Sequence, residues 1–494
     1  MSAVRPPERA GWMRRHAMLL LVLAAYFTAA VCYLVLTPLW QAPDEPAHFN
    51  YVRYLATTDE LPVLRQGDYP AQYLEQLKAA HFPPDQSIAP IRYESHQPPL
   101  FYALAAPVYQ AVWASPLSAQ VLALRLVSVV LGLVAVWLTY LLGLRLWPER
   151  TRQAAALAGI AALVPMHTAV SAAISNDMLA EVLVLATALQ SLRLFRRGGT
   201  SPGRLWPLGL LVGLCLLTKM TAFLGLGLAL TAIALAWWRQ RPSSAYALRG
   251  ALAFAVPLLA LEAPWLLRSM ATYGLADPLG QARHDSIVVG QLRTSQLLAQ
   301  SGLWALLRQG AVTTFRSFWG VFGWMGVPMD ERLYLGFALV TALAAIGLLL
   351  RLWQVRHRLR SAPELFILMF VWGGFSTAQL LWYNLKFVQY QGRYLFVAMP
   401  VWAAALTVGL IEVRRHGLAF ALGLLALAGA VLGAGLLTGA WHRLTAAGLG
   451  LAGLAIAAWW AAGRRWPVLA GGVALVALWF VDLAGALYYV RTFL

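Results

Sequence analysis

The sequence predicts an all-α integral membrane protein with about thirteen transmembrane helices, and three observations carry that prediction. Of its 494 residues, 60% are hydrophobic and only 12% are charged, with a mean hydropathy of +0.64. That is too little charge to give a soluble domain of this size a polar skin. Apolar stretches of about 20 residues recur along the chain, each long enough to cross ~30 Å of hydrocarbon. Arginines cluster between alternate apolar runs, as the positive-inside pattern requires.

Taken in order, the runs place spans at 17–37, 122–146, 154–174, 178–195, 205–219, 221–238 and 250–270. They continue at 333–352, 364–383, 394–411, 417–437, 444–462 and 467–489. The first is preceded by Arg5, Arg9, Arg14 and Arg15 and followed by Pro38. With the N-terminus inside, the later inside segments carry Arg145, Arg150 and Arg152, then Arg193, Arg196, Arg197 and Arg204, then Arg239, Arg241 and Arg249. Arg351, Arg356, Arg358 and Arg360, then Arg414 and Arg415, and finally Arg464 and Arg465 complete the set. That face holds 22 basic residues against four acids, whereas the other face and the spans hold 16 of each. The asymmetry fixes a cytoplasmic N-terminus.

The whole chain, 1–494, reads as one polytopic domain. Residues 38–121 form a first external loop, in which the apolar stretch 98–114 is expected to lie along the membrane surface. A second long external segment covers 271–332. Its Leu292, Leu297, Leu298, Leu303, Trp304, Leu307, Phe315, Phe318 and Trp319 recur at mostly helical spacing, fitting interfacial helices or a spacer within the bundle. Residues 394–494 supply C-terminal helices whose role no motif assigns.

Several function classes are excluded. The net charge of +18 suggests nucleic acid, but only three of the 38 basic residues are lysines and the arginines follow the membrane pattern. Cys32 and Cys215 sit inside apolar runs and define neither a disulfide framework nor a metal cluster. The apolar run continues past Cys32, so the first span is expected to be a retained signal anchor. No phosphate-binding glycine loop, metalloprotease helix or nucleophile elbow is present.

Chemistry concentrates in the loop 38–97. The chain has twenty acids, and eight fall between Asp44 and Glu94, where a membrane protein keeps carboxylates only if they are solvated, paired or functional. Pro43-Asp44-Glu45-Pro46-Ala47-His48 offers a carboxylate general base, or equally an acidic cap for a helix starting near Pro46. Glu94-Ser95-His96-Gln97-Pro98-Pro99-Leu100 closes the loop with a histidine that orients an anion or is simply solvated. Ser175-Asn176-Asp177 lies in the next external turn, where Asn and Asp also suit turns and caps. Gln391-Gly392-Arg393-Tyr394, with Lys386 before it, presents a guanidinium fork suited to a phosphate. Lys78, Lys219 and Lys386 all fall on the external face, as anion contacts or as snorkelling side chains.

In this order and on this face, these motifs resemble the GT-C superfamily of polytopic glycosyltransferases. The likeness is to the branch holding protein O-mannosyltransferases and lipid A aminoarabinose transferases, and it covers roughly 1–400. Shared features are the Asp-Glu pair, the His-x-Pro-Pro-Leu segment, the second acid, the Thr218-Lys219 turn and Arg393-Tyr394. The Pro-Asp-Glu-Pro-x-His and Gln-Gly-Arg-Tyr forms are similar to a less characterised bacterial branch. Aminoarabinose-type enzymes carry a lysine where this chain has His96 or Gln97, and Asp177 follows Asn176 rather than a second acid.

The resemblance implies inverting transfer of a sugar from a polyprenyl-phosphate donor to a hydroxyl of a lipid, glycan or protein acceptor. It places the reaction at the extracytoplasmic face of a bacterial inner membrane. Asp44 is then the base, held by Glu45, with Asp177 assisting or sharing a divalent cation with Asp44. Arg393, Lys219, His96 and Lys386 are expected to contact the donor phosphate, and His48, Asn176, Gln391 and Tyr394 the substrates. No metal ligand set and no other cofactor are expected. The alternatives are a transporter or flippase of lipid-linked glycans, or a non-catalytic relative. Against the transporter, the spans hold few acids (Glu181, Glu262 and Asp482) and the first-loop motif does not repeat.

Overall fold

The computed structural model describes residues 8–196, 199–361, 363–438, 442–465 and 467–490. Arg5 and Arg197 of the charge tally lie outside the described residues. The bundle opens with α1 (Glu8–Leu36). Three short helices follow, α2 (Glu45–Thr58), α3 (Ala71–Ala79) and α4 (Leu100–Val112), with a 3-10 turn at Tyr93–His96. Next come α5 (Leu117–Leu146), α6 (Thr151–Ala162), α7 (Pro165–Ser171), α8 (Asp177–Ser191), α9 (Pro202–Leu216), α10 (Leu224–Gln240) and α11 (Ser244–Tyr273). A second layer holds α12 (Gln281–Ile287), α13 (Thr294–Trp319) and the hairpin β1 (Val321–Phe322) with β2 (Val327–Pro328). The chain finishes with α14 (Glu331–Ser361), α15 (Glu364–Asn384), a 3-10 segment at Gly392–Ala398, α16 (Met399–Arg415), α17 (Gly417–Thr438), α18 (Arg443–Arg465) and α19 (Pro467–Ala484).

Among the described residues eleven helices are long and apolar enough to cross a membrane, or twelve when one bent pair counts as a single span. The expected thirteen is therefore approximate, and two places account for the difference. The span expected at 154–174 is broken into α6 and α7, bent by 71°. Pro165 opens α7, and a proline cannot donate the hydrogen bond that would continue the helix. The span expected at 205–219 is α9, whose 15 residues extend only about 22 Å. It nonetheless runs alongside α8 in the opposite direction. Gln190 donates to the Arg204 carbonyl at 3.0 Å near one end, and Lys219 meets Asp177 at 2.6 Å near the other.

The bundle has two distinct ends. Arg15 meets Glu149 at 3.0 Å, so the start of α1 and the α5–α6 turn share one end. Arg125 and Arg145 lie twenty residues apart on α5, or about 30 Å along a straight helix. The end near Arg125 carries α2, α3, α4 and the α12–α13 layer. There residues 38–121 are a folded cap: Phe49, Tyr51, Phe101, Tyr102 and Tyr109 are buried in one core, and Tyr51 stacks on Tyr102 with ring centres 3.6 Å apart.

Small residues let the spans meet closely. A side chain at Gly409 of α16 would overlap the Ala344 backbone of α14, and one at Gly347 would overlap Gly409 in turn. Large apolar side chains such as Leu349, Phe370 and Phe480 face outward instead. In a multi-pass membrane protein that surface is wetted by lipid. The last helix is tied into the bundle, with Trp479 donating to the Ala25 carbonyl at 3.1 Å and Thr168 to Asp482 at 2.8 Å.

Candidate active site

Asp44 sits at the N-terminus of α2 with φ +67°, in the left-handed region that Asp tolerates better than most residues. Its carbonyl accepts the amides of Ala47 and His48 at 3.1 Å and so starts the helix. Its carboxylate makes no capping bond. Instead it receives the Tyr93 hydroxyl at 2.7 Å and the Arg393 guanidinium at 2.5 Å. Burial pushes the Asp44 carboxyl up, but Arg393, Tyr93 and His48 outweigh it and hold it below the usual carboxylate range. The side chain remains 25% exposed, so an incoming hydroxyl can reach it.

Glu45, one residue on, is wholly buried against Arg125, whose Nε and Nη2 each donate to it at 2.7 Å. Arg125 also donates to the Leu34, Thr37 and Pro38 carbonyls, at 2.6–3.0 Å. The Ile174 and Trp40 amides donate to Glu45 at 3.2 and 3.3 Å. This cluster pins the end of α1 and the α7–α8 turn to α5, and so sets the position of Asp44 from behind.

Asp177 opens α8 and is held by Lys219 at 2.6 Å and by the Ser175 hydroxyl at 3.1 Å. Arg393 reaches Asp44 from the 3-10 segment after α15. Gly392 makes this possible by close approach, because a Cβ there would strike the Phe318 and Thr314 backbone of α13. Its amide donates to Ser317 at 2.7 Å. Tyr394 packs its ring 5.5 Å from the Arg393 guanidinium. The Arg393 Nε and the Asn176 side-chain oxygen are buried without partners.

The remaining expected residues divide. His48 is beside this centre, bonded to the Tyr102 hydroxyl at 2.8 Å, and burial lowers its basicity. Asn176 donates to the Thr218 carbonyl at 3.2 Å and steadies the Lys219 turn. His96 and Lys386 belong to a second cluster. The His96 ring lies 4.7 Å from His284, Lys386 holds Asp285 at 2.8 Å, and His284 lies 3.3 Å from Asp285. Burial and His284 push His96 down to about 3, so it is uncharged at neutral pH. Gln391 donates to Gln389 at 2.6 Å, between the two clusters in sequence.

Tyr93 and Arg125 were not singled out from sequence. The signal for Arg125 was present: an arginine inside an apolar run demands a buried partner. Tyr93 gave no comparable sign. A cation shared by Asp44 and Asp177 does not fit these residues as they stand, since Arg393, Tyr93, Lys219 and Ser175 already occupy the carboxylates. Among the described residues no three His, Cys, Asp or Glu side chains converge.

Fold and site define a polytopic membrane protein with paired carboxylates and cations at one end of its bundle. Residues 96–266 match the family described as dolichyl-phosphate-mannose-protein mannosyltransferase. The fold is similar to the crystal structure of ArnT from Cupriavidus metallidurans bound to undecaprenyl phosphate, with a TM-score of 0.55 and 15% identity over 97% of this chain and 77% of that one. The apo form of ArnT gives the same score and identity over 98% and 78%. An Archaeoglobus fulgidus oligosaccharyltransferase, tethered with an acceptor peptide, scores 0.46 at 14% identity over 96% and 56%, too loose a likeness to weigh. No curated protein matches the sequence. The chain therefore shares the fold of ArnT, and residues 96–266 resemble that mannosyltransferase family.

Proposed function

We propose that the protein transfers a sugar from a polyprenyl-phosphate donor to an acceptor hydroxyl, with inversion, at the extracytoplasmic face. The acceptor is a lipid, glycan or protein, and the arginine-rich end faces the cytoplasm. The observation that carries this reading is the Asp44–Arg393 pair, a part-exposed carboxylate held by a guanidinium with a spare donor. ArnT, which shares the fold, has been crystallised with undecaprenyl phosphate.

The chemistry follows from the pair. With Arg393 on it, Asp44 is a weak base. A donor phosphate draws Arg393 away and leaves burial as the main influence on the carboxyl, which strengthens its hold on a proton. Asp44 then takes the proton of the acceptor hydroxyl as that oxygen bonds to the anomeric carbon. The carbon–oxygen bond to phosphate breaks on the opposite side, and its electron pair leaves on the polyprenyl phosphate. Arg393 and Lys219 stabilise that charge, an effect worth several kcal/mol when the donors are preorganised. Asp177 holds Lys219 in place and lines the acceptor side. Glu45 acts from behind by fixing Asp44, and His48, Asn176 and Tyr394 shape the pocket.

The test is genetic and chemical together. Mass spectrometry of the cell envelope identifies the glycan lost when the protein is absent. Wild type restores that glycan, and Asp44→Asn, present in equal amount in the membrane, does not. Restoration by Asp44→Asn would remove the base assignment. With the donor so identified, Arg393→Ala raises its apparent KM more than that of the acceptor; equal effects on both argue against the phosphate role.

A further inference from the structure

A cleft of about 980 Å³ lies away from the carboxylate site. It runs between α6, α14, α16, α18 and α19, with apolar walls that include Ile160, Phe337, Leu406, Ile456 and Leu478. Arg332 stands at the end nearer the site. At the other end Arg150, Arg152 and Arg414 ring the mouth.

These three guanidiniums are a surplus of charge. Glu149, beside them, is engaged by Arg15 at 3.0 Å, and Glu412 holds Arg415 at 3.1 Å and His416 at 3.3 Å. No ion pair involves Arg150, Arg152 or Arg414 among the described residues. The N-terminus of α6, at Thr151, adds unsatisfied amides to the same mouth. Gln153, also at the mouth, carries a buried side-chain oxygen without a hydrogen-bond partner, ready to accept from a headgroup hydroxyl.

We propose that this cleft binds an anionic phospholipid of the leaflet opposite the site. Its phosphate sits among Arg150, Arg152 and Arg414, and its acyl chains lie along the apolar walls. Basic pockets between membrane helices select anionic headgroups in this way. A zwitterionic lipid brings no net charge to offset the three arginines. The donor does not fill this role, because α16 carries the chain about 24 Å from the site end to Arg415. One phosphate cannot serve Arg393 and Arg414 together. The inference stands independently of which sugar, if any, the site transfers.

Delipidated full-length protein in detergent, titrated with phosphatidylglycerol or phosphatidylcholine and read by native mass spectrometry, tests this. Phosphatidylglycerol is retained and phosphatidylcholine is not. Replacing all three arginines (Arg150→Gln, Arg152→Gln, Arg414→Gln) weakens phosphatidylglycerol binding about a hundredfold. A second variant probes the walls. Gly336 lines the cleft, and a Cβ there meets nothing within 4 Å, so Gly336→Leu adds bulk to the wall. With its unfolding midpoint unchanged, it lowers retention while every arginine remains. Equal retention of both lipids, or unchanged binding in both variants, overturns the proposal. So does loss of undecaprenyl phosphate binding in the triple variant, which would make the cleft the donor's own groove.

Discussion

Asp44 and Glu45 are adjacent acids, each gripped by an arginine from a distant part of the chain, and they are opposite kinds of ion pair. The Glu45–Arg125 pair is bidentate, wholly buried and surrounded by further donors and acceptors. The Asp44–Arg393 pair rests on one guanidinium nitrogen and one hydroxyl, with the carboxylate part-exposed. A fully bonded buried pair has nothing left to offer a substrate, and breaking it leaves an uncompensated charge in a low dielectric. A half-open pair can exchange partners with an incoming phosphate and hydroxyl. Position beside the same proline turn thus leaves one carboxylate locked and its neighbour part-exposed.

The largest effect is expected at the buried pair. Arg125→Leu strands Glu45 and costs about 3–5 kcal/mol of stability, read as a lowered thermal unfolding midpoint in detergent. Asp44→Asn does the reverse, lowering the midpoint less than Arg125→Leu does and cutting transfer at least ~100-fold. A stable Arg125→Leu protein, or an Asp44→Asn protein that fails to fold, would invert the comparison.

Tyr93→Phe sharpens it further. In the free enzyme Arg393 and Tyr93 hold the Asp44 pKa down, so kcat/KM, which reports that state, persists until the pH falls below the ordinary carboxylate range. Removing the hydroxyl raises that pKa. The acid limb of the pH–rate profile therefore moves to higher pH, with stability lower by about 1 kcal/mol. An unmoved acid limb would mean that Asp44 is not the group titrating. The same depressed pKa makes the resting pair contribute stability above the unfolded-state value near about 3.9, which is lost as pH falls through the folded-state value.

Smaller effects belong to the second cluster. His96, uncharged at neutral pH, brings no ionic attraction to a phosphate, so His96→Gln changes donor affinity by at most about fivefold and leaves its salt dependence unaltered. A steep loss accompanied by a reduced salt slope would show that His96 is charged in the complex. Smallest of all is the expected effect of chelators. Arg393 and Lys219 already supply the positive charge that a divalent ion would bring, so transfer measured in EDTA equals transfer in Mg2+ or Mn2+.

Much of the fold was legible because hydrophobic length and arginine placement are local properties. The ends of α5 and α10 and the start of α14 fall near the residues that hydropathy and charge suggested, while α14 runs on to Ser361. The breaks were harder. Pro165 was visible, but a proline only weakens a helix, and neighbouring packing decides whether it bends there. Of the expected site residues, Asp44, Asp177, Lys219 and Arg393 meet, with His48 and Tyr394 beside them. His96 and Lys386 form another cluster with His284 and Asp285. A motif's order along the chain says which face it occupies, and no more about its neighbours than that.

The sequence by itself determined the class of molecule, the two unlike ends of its bundle and the end where acids collect, because bilayer thickness and charge cost act on each segment separately. Only the tertiary structure decided which acid is locked and which is open. Arg125 lies 80 residues from Glu45, and Arg393 lies 349 from Asp44. Pairings across such distances follow from helix packing, in which Gly392 presses one segment onto another and brings its arginine within reach.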